Sequence, residues 1–562
     1  MNILPARLFS HVGFDLALLG LLVLACFRPL FADRIFRKVE SFGSAFAKRR
    51  GLVILVVALA PILLRIAFLT RMPVPVPEVA DEFSYLLAGD TFAHGRLTNP
   101  THPMWVFFDT IHVNQHPTYM SKYPPGQGAM LAIGQLLGHP WIGVLLSVAA
   151  MYAAIQWMLF GWLPPRWALI GGLFTLIQFE IFQWANTYWG GAVAAAGGAL
   201  VMGALPRIFH CQRPRDALLL GLGAGILANS RPFEGLLLCI PVFVLLAWWL
   251  VGRRSPPWRV TLPRVVAPIA GLLALTGAFI CYYNWRGTGS PFLFPYVVNQ
   301  RTYFSVPLFM WQRTKPPLHY LNPGLDAFYN RITYLYWANR AYDGTWHSIA
   351  RNIEGTFSIL QTLFLRFTFL VPLVLTLPWL LEGRRTRFLI AQVTLCFAAF
   401  CTSIYFWPHY AAPLTATILV LVVFAMRHLR RWRWASQPMG IGLTRALVLA
   451  GLAMASIHIA YVVRHFPYHL DEPNTRFRAP IAAKLEALPG EHLVVVRYSA
   501  LHTGSSDWVY NRADIDHAKV VWATEIPGVD IRPLLDYFRG RRVWLVEPDA
   551  DPPTLSAYLS GR

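Results

Sequence analysis

Apolar stretches long enough to cross a hydrocarbon core recur from residue 12 to residue 463, at about 20 residues for a core roughly 30 Å thick. A chain patterned in this way has the bilayer as its solvent and folds as an α-helical polytopic membrane protein. About 12 spans are read, near 12–31, 51–70, 139–162, 166–184, 188–206, 216–230, 233–251, 263–283, 356–381, 388–405, 410–427 and 443–463. With 56% hydrophobic and only 14% charged residues, the composition excludes an ordinary soluble protein. The first stretch runs on to a basic flank with no small-residue cleavage site, so it reads as a retained segment and not as a removable signal peptide.

The formal charge of +21 does not point to nucleic acid, because the basic residues lie in short clusters between apolar stretches, where they orient helices and meet anionic lipid. Arg34, Arg37, Lys38, Lys48, Arg49 and Arg50 precede the second span, which assigns residues 32–50 to the cytoplasm. Later clusters at Arg207–Arg215, Arg253–Arg264, Arg384–Arg387 and Arg427–Arg433 fall at cytoplasmic ends of the same arrangement. Three pieces then face outward, namely the loop 71–126, the loop 284–354 and the tail from about 465. The chain therefore reads as a membrane part, 1–464, and a small extracytoplasmic α/β unit, 465–562. In the latter, helix-like runs at Pro480–Leu488 and Leu534–Arg539 alternate with β-rich runs at His492–Tyr498, Lys519–Thr524 and Arg542–Glu547. No Gly-rich phosphate loop occurs in it. The six cysteines lie in or beside apolar spans without metal-ligand spacing.

The first outer loop concentrates the chemistry. Asp81 and Glu82 open it just past an apolar span, and His102, His112, His116 and the run Ser121-Lys122-Tyr123-Pro124-Pro125-Gly126 follow. A carboxylate near a membrane face is made more basic by partial desolvation and can deprotonate a hydroxyl, while its neighbour holds a sugar hydroxyl or a cation. The structural alternative is that both acids begin a surface helix, where the helix dipole favours negative charge.

The apolar span, the acid pair with an aromatic residue close behind, and the Lys-Tyr-Pro-Pro-Gly element before the next span together resemble the GT-C superfamily of integral-membrane glycosyltransferases. The likeness is to the branch of the protein O-mannosyltransferases and lipid A aminoarabinose transferases. It covers roughly residues 50–465 and implies that Asp81 is the catalytic aspartate and that Ser121–Pro125 corresponds to the family's Lys-Pro-Pro element. Tyr123, inserted between the lysine and the prolines, departs from the aminoarabinose-transferase pattern, as does an extra apolar stretch ahead of the span before the acids. Lys315-Pro316-Pro317-Leu318 lies too late to be the family element.

An enzyme acting on the far face has no access to cytosolic nucleotide sugars, so the expected donor is a polyprenyl-phosphate sugar and the expected acceptor an extracytoplasmic hydroxyl. Lys122 and Arg231 are the expected phosphate ligands. Pairing with Glu234 is the competing role for Arg231. Glu180, in the outer third of its span, is a candidate for a substrate cavity. Tyr85, Tyr188, Trp189 and His116 are candidates to line the substrate, although interfacial aromatic belts account for Tyr and Trp as well. Arg301, His409 and Tyr410 are outer-edge residues read as structural. Glu82 would orient acceptor or donor. A divalent cation suits carboxylates and phosphate, but adjacent acids alone make a poor octahedral site, so no metal is assigned. The rival readings are a transporter or flippase of lipid-linked sugars, which needs ionisable residues at the midplane or internal repeats, and a non-catalytic membrane scaffold.

Overall fold

The computed structural model describes residues 19–178, 182–252, 255–364, 367–465, 474–499, 502 and 507–558. Part of the expected first span and Glu180 therefore lie outside the described residues. Among the described residues seven helices are long and apolar enough to cross a membrane: Arg50–Ala67, Pro140–Trp162, Gly191–Cys211, Pro232–Val251, Trp258–Thr288, Pro408–Leu429 and Met439–Tyr461. Other expected spans take shorter forms. The stretch near 166–184 is the helix Pro165–Ile177, that near 216–230 is Pro214–Ala228, and that near 388–405 is Arg384–Phe400. The stretch near 356–381 falls across the helices Trp346–Phe364, Phe367–Leu375 and Leu377–Glu382, with Pro372 inside the second and Pro378 opening the third. Proline removes a helix hydrogen bond and crowds the preceding turn, which favours such interruptions.

The core of the bundle is built on Pro140–Trp162, Gly191–Cys211 and Pro408–Leu429. Helices in lipid gain from close backbone approach, and small residues permit it. A Cβ at Gly143 would stand 1.8 Å from the Met130 carbonyl oxygen, and one at Gly198 2.2 Å from that of Pro413. These two glycines fix how near the neighbouring backbones come.

The C-terminal unit holds a four-stranded sheet in the order β4-β3-β5-β6, with β3 (His492–Val496), β4 (Val520–Thr524), β5 (Arg542–Glu547) and β6 (Thr554–Ala557). β3 pairs in parallel with β4 and β5, and β6 closes one edge antiparallel. The sequence pattern anticipates the first three strands but not β6. Both β3 and β4 are buried throughout, as continuous Val-rich strands covered on two faces must be. One face packs against the first long loop, where Phe107, Phe108, Val113 and Tyr119 share a core with Leu493, Val495, Val521 and Leu534.

Candidate functional site

Asp81 is the second residue of the helix Ala80–Ala93, and the chain entering that helix is fixed from below. Arg65, at the end of Arg50–Ala67, donates from Nη1 to the Met72 carbonyl at 2.7 Å, from Nη2 to that of Pro73 at 2.8 Å and from Nε to Asn186 Oδ1 at 2.6 Å. The Tyr188 hydroxyl donates to the Pro75 carbonyl at 2.8 Å. The linker is thereby tied at Met72, Pro73 and Pro75.

The two acids take different parts. Glu82 Oε2 accepts the Glu78 amide at 2.8 Å and the Val79 amide at 3.4 Å, and Oε1 accepts the Tyr188 amide at 2.9 Å. Oε2 thus caps the start of the Ala80–Ala93 helix, and Oε1 ties that helix to the Tyr188 backbone. Burial pushes the Glu82 carboxyl up to about 7, against the pull of those amides. The same contact makes Tyr188 part of the frame, since its amide and its hydroxyl are both engaged.

Asp81 instead faces the β1–β2 hairpin, Val113–Asn114 paired with Met120–Ser121. Its Oδ1 lies 2.5 Å from His112 Nδ1 and accepts the Tyr123 hydroxyl. No hydrogen bond or ion pair reaches its Oδ2 among the described residues, and the side chain keeps 20% of its surface exposed. Although burial pushes its carboxyl up, His112, the Lys122 charge and the Tyr123 hydroxyl hold it below the usual carboxylate range. Burial and Lys122 push His112 down to about 4 despite Asp81, so the imidazole is neutral near pH 7 and stands as a hydrogen-bond donor to Asp81.

Two buried cations belong to the same group, Lys122 acting on Asp81 and Arg231 on Glu234. Lys122 is only 3% exposed, and its Nζ sits 4.9 Å from the ring centre of Phe304 and 5.1 Å from those of Tyr123 and Tyr296. Burial pushes it down to about 7, with Asp81 opposing and Arg231 adding to the shift. Arg231 lies 4.1 Å over the Tyr410 ring. No salt bridge joins Arg231 to Glu234 among the described residues, yet both are buried and the Glu234 charge favours the charged guanidinium. The Gly126 amide donates to the Asn229 carbonyl at 2.7 Å, which docks the Lys122–Gly126 element on the turn carrying Arg231. Tyr85 stacks on Tyr123 with ring centres 4.4 Å apart, placing it beside the same group.

A small cavity bounded by Lys122, Tyr296 and Asn229 adjoins a larger one that shares Asn229. The larger is about 600 Å³ and apolar, with walls from Met130, Val193, Ile226, Leu272, Leu275 and Phe279. Among the described residues, no group of three or more His, Cys, Asp or Glu side chains is gathered as for a metal ion.

Of the other sequence candidates, Trp189 packs against His409 with ring centres 4.6 Å apart. His116 is exposed at the hairpin tip and edge-on to Trp105, away from the groups around Asp81. The sequence marked His112 as part of the chemistry-rich first loop without giving it a role, did not single out Tyr296 or Phe304, and read Tyr410 as structural. The β1–β2 pairing brings in His112, the second loop brings in Tyr296 and Phe304, and the turn Pro408–Leu414 brings in Tyr410.

The solved structure of ArnT from Cupriavidus metallidurans bound to undecaprenyl phosphate superposes on 88% of this chain and 92% of its own, with a TM-score of 0.50 at 13% identity. The fold is the GT-C fold. The archaeal oligosaccharyltransferase AglB from Archaeoglobus fulgidus, in complex with an inhibitory peptide and a dolichol-phosphate, covers 89% of this chain and 69% of its own at TM-score 0.40 and 10% identity. No protein-family model and no curated protein sequence matches the chain. In the GT-C fold of this chain, Asp81 stands at the head of the first long loop.

Proposed function

We propose that this protein is a membrane glycosyltransferase that moves a sugar from a polyprenyl-phosphate donor to an extracytoplasmic acceptor hydroxyl. The observation that carries the reading is the Oδ2 of Asp81, which has no hydrogen-bond or ion-pair partner among the described residues, in one buried group with Lys122 and Arg231, where Lys122 lines a cavity. The undecaprenyl phosphate held by ArnT, a protein of like fold, supports a lipid-phosphate donor. The topology that goes with this has about 12 spans, with the first loop, the second loop and the C-terminal unit outside, in a bacterial inner membrane.

The polyprenyl chain lies in the larger, apolar cavity and its phosphate meets Lys122 and Arg231. The acceptor oxygen bonds to the anomeric carbon, the bond from that carbon to the phosphate oxygen breaks with its electron pair going to phosphate, and the acceptor proton passes to Asp81 Oδ2. A carboxylate of low basicity takes that proton late, once the new bond has made the hydroxyl acidic. The cations stabilise charge on the departing phosphate and need not protonate it. His112 and Tyr123 hold Oδ1 and so aim Oδ2. Glu82 keeps the helix start rigid.

The test is transfer by purified protein in lipid, supplied with radiolabelled polyprenyl-phosphate sugars and a cell-envelope extract. Product formed by wild type and not by Asp81→Asn supports the proposal. Equal product from both removes Asp81 from the mechanism, and sugar accumulating inside vesicles without a new glycosidic bond points to transport.

A further inference from the structure

The helix that carries Asp81 is gripped by the C-terminal unit. Phe83 lies flat on Tyr510, with ring centres 4.1 Å apart and 2° between the planes. The Arg478 guanidinium stands 4.7 Å over the same Phe83 ring while donating to the carbonyls of Trp508 at 2.8 Å and Tyr510 at 3.3 Å. Further along the helix, the Ala513 amide donates to Asp90 Oδ2 at 2.8 Å.

The loop that delivers His112 is held by the same unit. Thr110 Oγ1 donates to Asp507 Oδ2 at 2.6 Å, with both residues buried. The other oxygen of Asp507 accepts the Val509 amide at 3.1 Å and the Tyr498 hydroxyl. Thr110 is two residues from His112, whose φ of 63° is one that a side-chain-bearing residue adopts only when its surroundings dictate it. A hydroxyl-to-carboxylate bond in a dry interface is strong enough to supply such dictation.

We infer that the C-terminal unit is a positioning element of the transferase site, acting through Asp507 on the Thr110–His112 loop and through Tyr510 and Arg478 on Phe83. The inference rests on Asp81 being the base. The site is then complete only with the C-terminal unit docked, and Asp507 is a positioning residue that touches no substrate.

The experiment uses the full chain in lipid nanodiscs and compares Thr110→Val, which keeps shape and removes the hydroxyl, with Thr110→Ser, which keeps the hydroxyl. Hydrogen exchange needs no substrate. Amides of residues 110–114 are expected to exchange about tenfold faster in Thr110→Val and at the wild-type rate in Thr110→Ser. In the transfer assay, kcat falls about tenfold in Thr110→Val with the donor KM within about twofold, and the loss disappears in a His112→Gln background. Unchanged exchange, unchanged kcat, or losses that add in the His112→Gln background overturn the inference. Equal transfer by Asp81→Asn and wild type fells the base and this inference with it, whereas an altered exchange rate with intact kcat fells the inference alone. Tyr510→Leu, which strips the stack from Phe83, is read in the same way should Thr110→Val fail to fold.

Discussion

His112 Nδ1 stands 2.5 Å from Asp81 Oδ1, although the imidazole hangs from a backbone in the left-handed region. Beyond the Thr110–Asp507 bond two residues away, three bonds fall on His112 itself. Ser84 Oγ donates to the His112 carbonyl at 2.7 Å, the Lys122 amide reaches the same oxygen at 3.3 Å, and the His112 amide reaches the Tyr329 hydroxyl at 3.4 Å. Helix, hairpin and second loop all meet on one residue, whose ring occupies one oxygen of Asp81.

Asp81→Asn removes the proton acceptor while keeping shape. Transfer is expected to fall about 10²–10⁴-fold, with the melting temperature in lipid essentially that of wild type. An initial-rate assay alongside thermal unfolding checks both. A loss of activity matched by a loss of fold would assign Asp81 to structure.

Glu82 answers differently because its oxygens serve three backbone amides. Glu82→Ala should destabilise by at least about 1–3 kcal/mol, the cost of leaving buried donors unpaired, and should lower the melting temperature where Asp81→Asn does not. Burial pushes its carboxyl up to about 7 from the 4.5 of a free glutamate, so the folded state binds the proton more tightly. Its contribution to stability is therefore fully present below about pH 4.5 and is lost as pH rises towards 7. The melting temperature of wild type should drop more between those pH values than that of Glu82→Gln, and equal drops would refute this origin.

Lys122, pushed down to about 7, must be charged to hold a phosphodiester that does not itself titrate in this range. Donor affinity is therefore expected to weaken as pH rises above 7, approaching tenfold per unit, because the free protein loses the proton that the complex requires. Binding of a polyprenyl-phosphate sugar measured from pH 6 to 9 tests this. The slope should flatten in Lys122→Arg, since guanidinium stays ionised throughout.

Gly143→Ala would force a methyl to 1.8 Å from the Met130 carbonyl. Helix propensity alone favours alanine, but overpacking typically costs about 1–3 kcal/mol, so the variant should melt lower. Gly271→Ala, with nothing within 4 Å, should melt at or above wild type. Identical melting of the two would show that the helices of the bundle are not held at this spacing.

Periodic apolar stretches, the acid pair behind one of them, the Lys122–Gly126 element and the Val-rich strands β3 and β4 are local signals, and local signals are what a sequence carries openly. They determined a helical membrane fold with a small α/β tail, and they drew attention to Asp81, Lys122 and Arg231. They divided the acid pair only through the family resemblance and gave no capping role to Glu82 alone, because whether a carboxylate caps a helix depends on what lies across from it. Only the tertiary structure brought the Tyr188 amide to Glu82 from 106 residues away, and Thr110 to Asp507 from 397. Contacts at such separation are made by the packing of whole helices and sheets, whose register no short stretch of residues encodes.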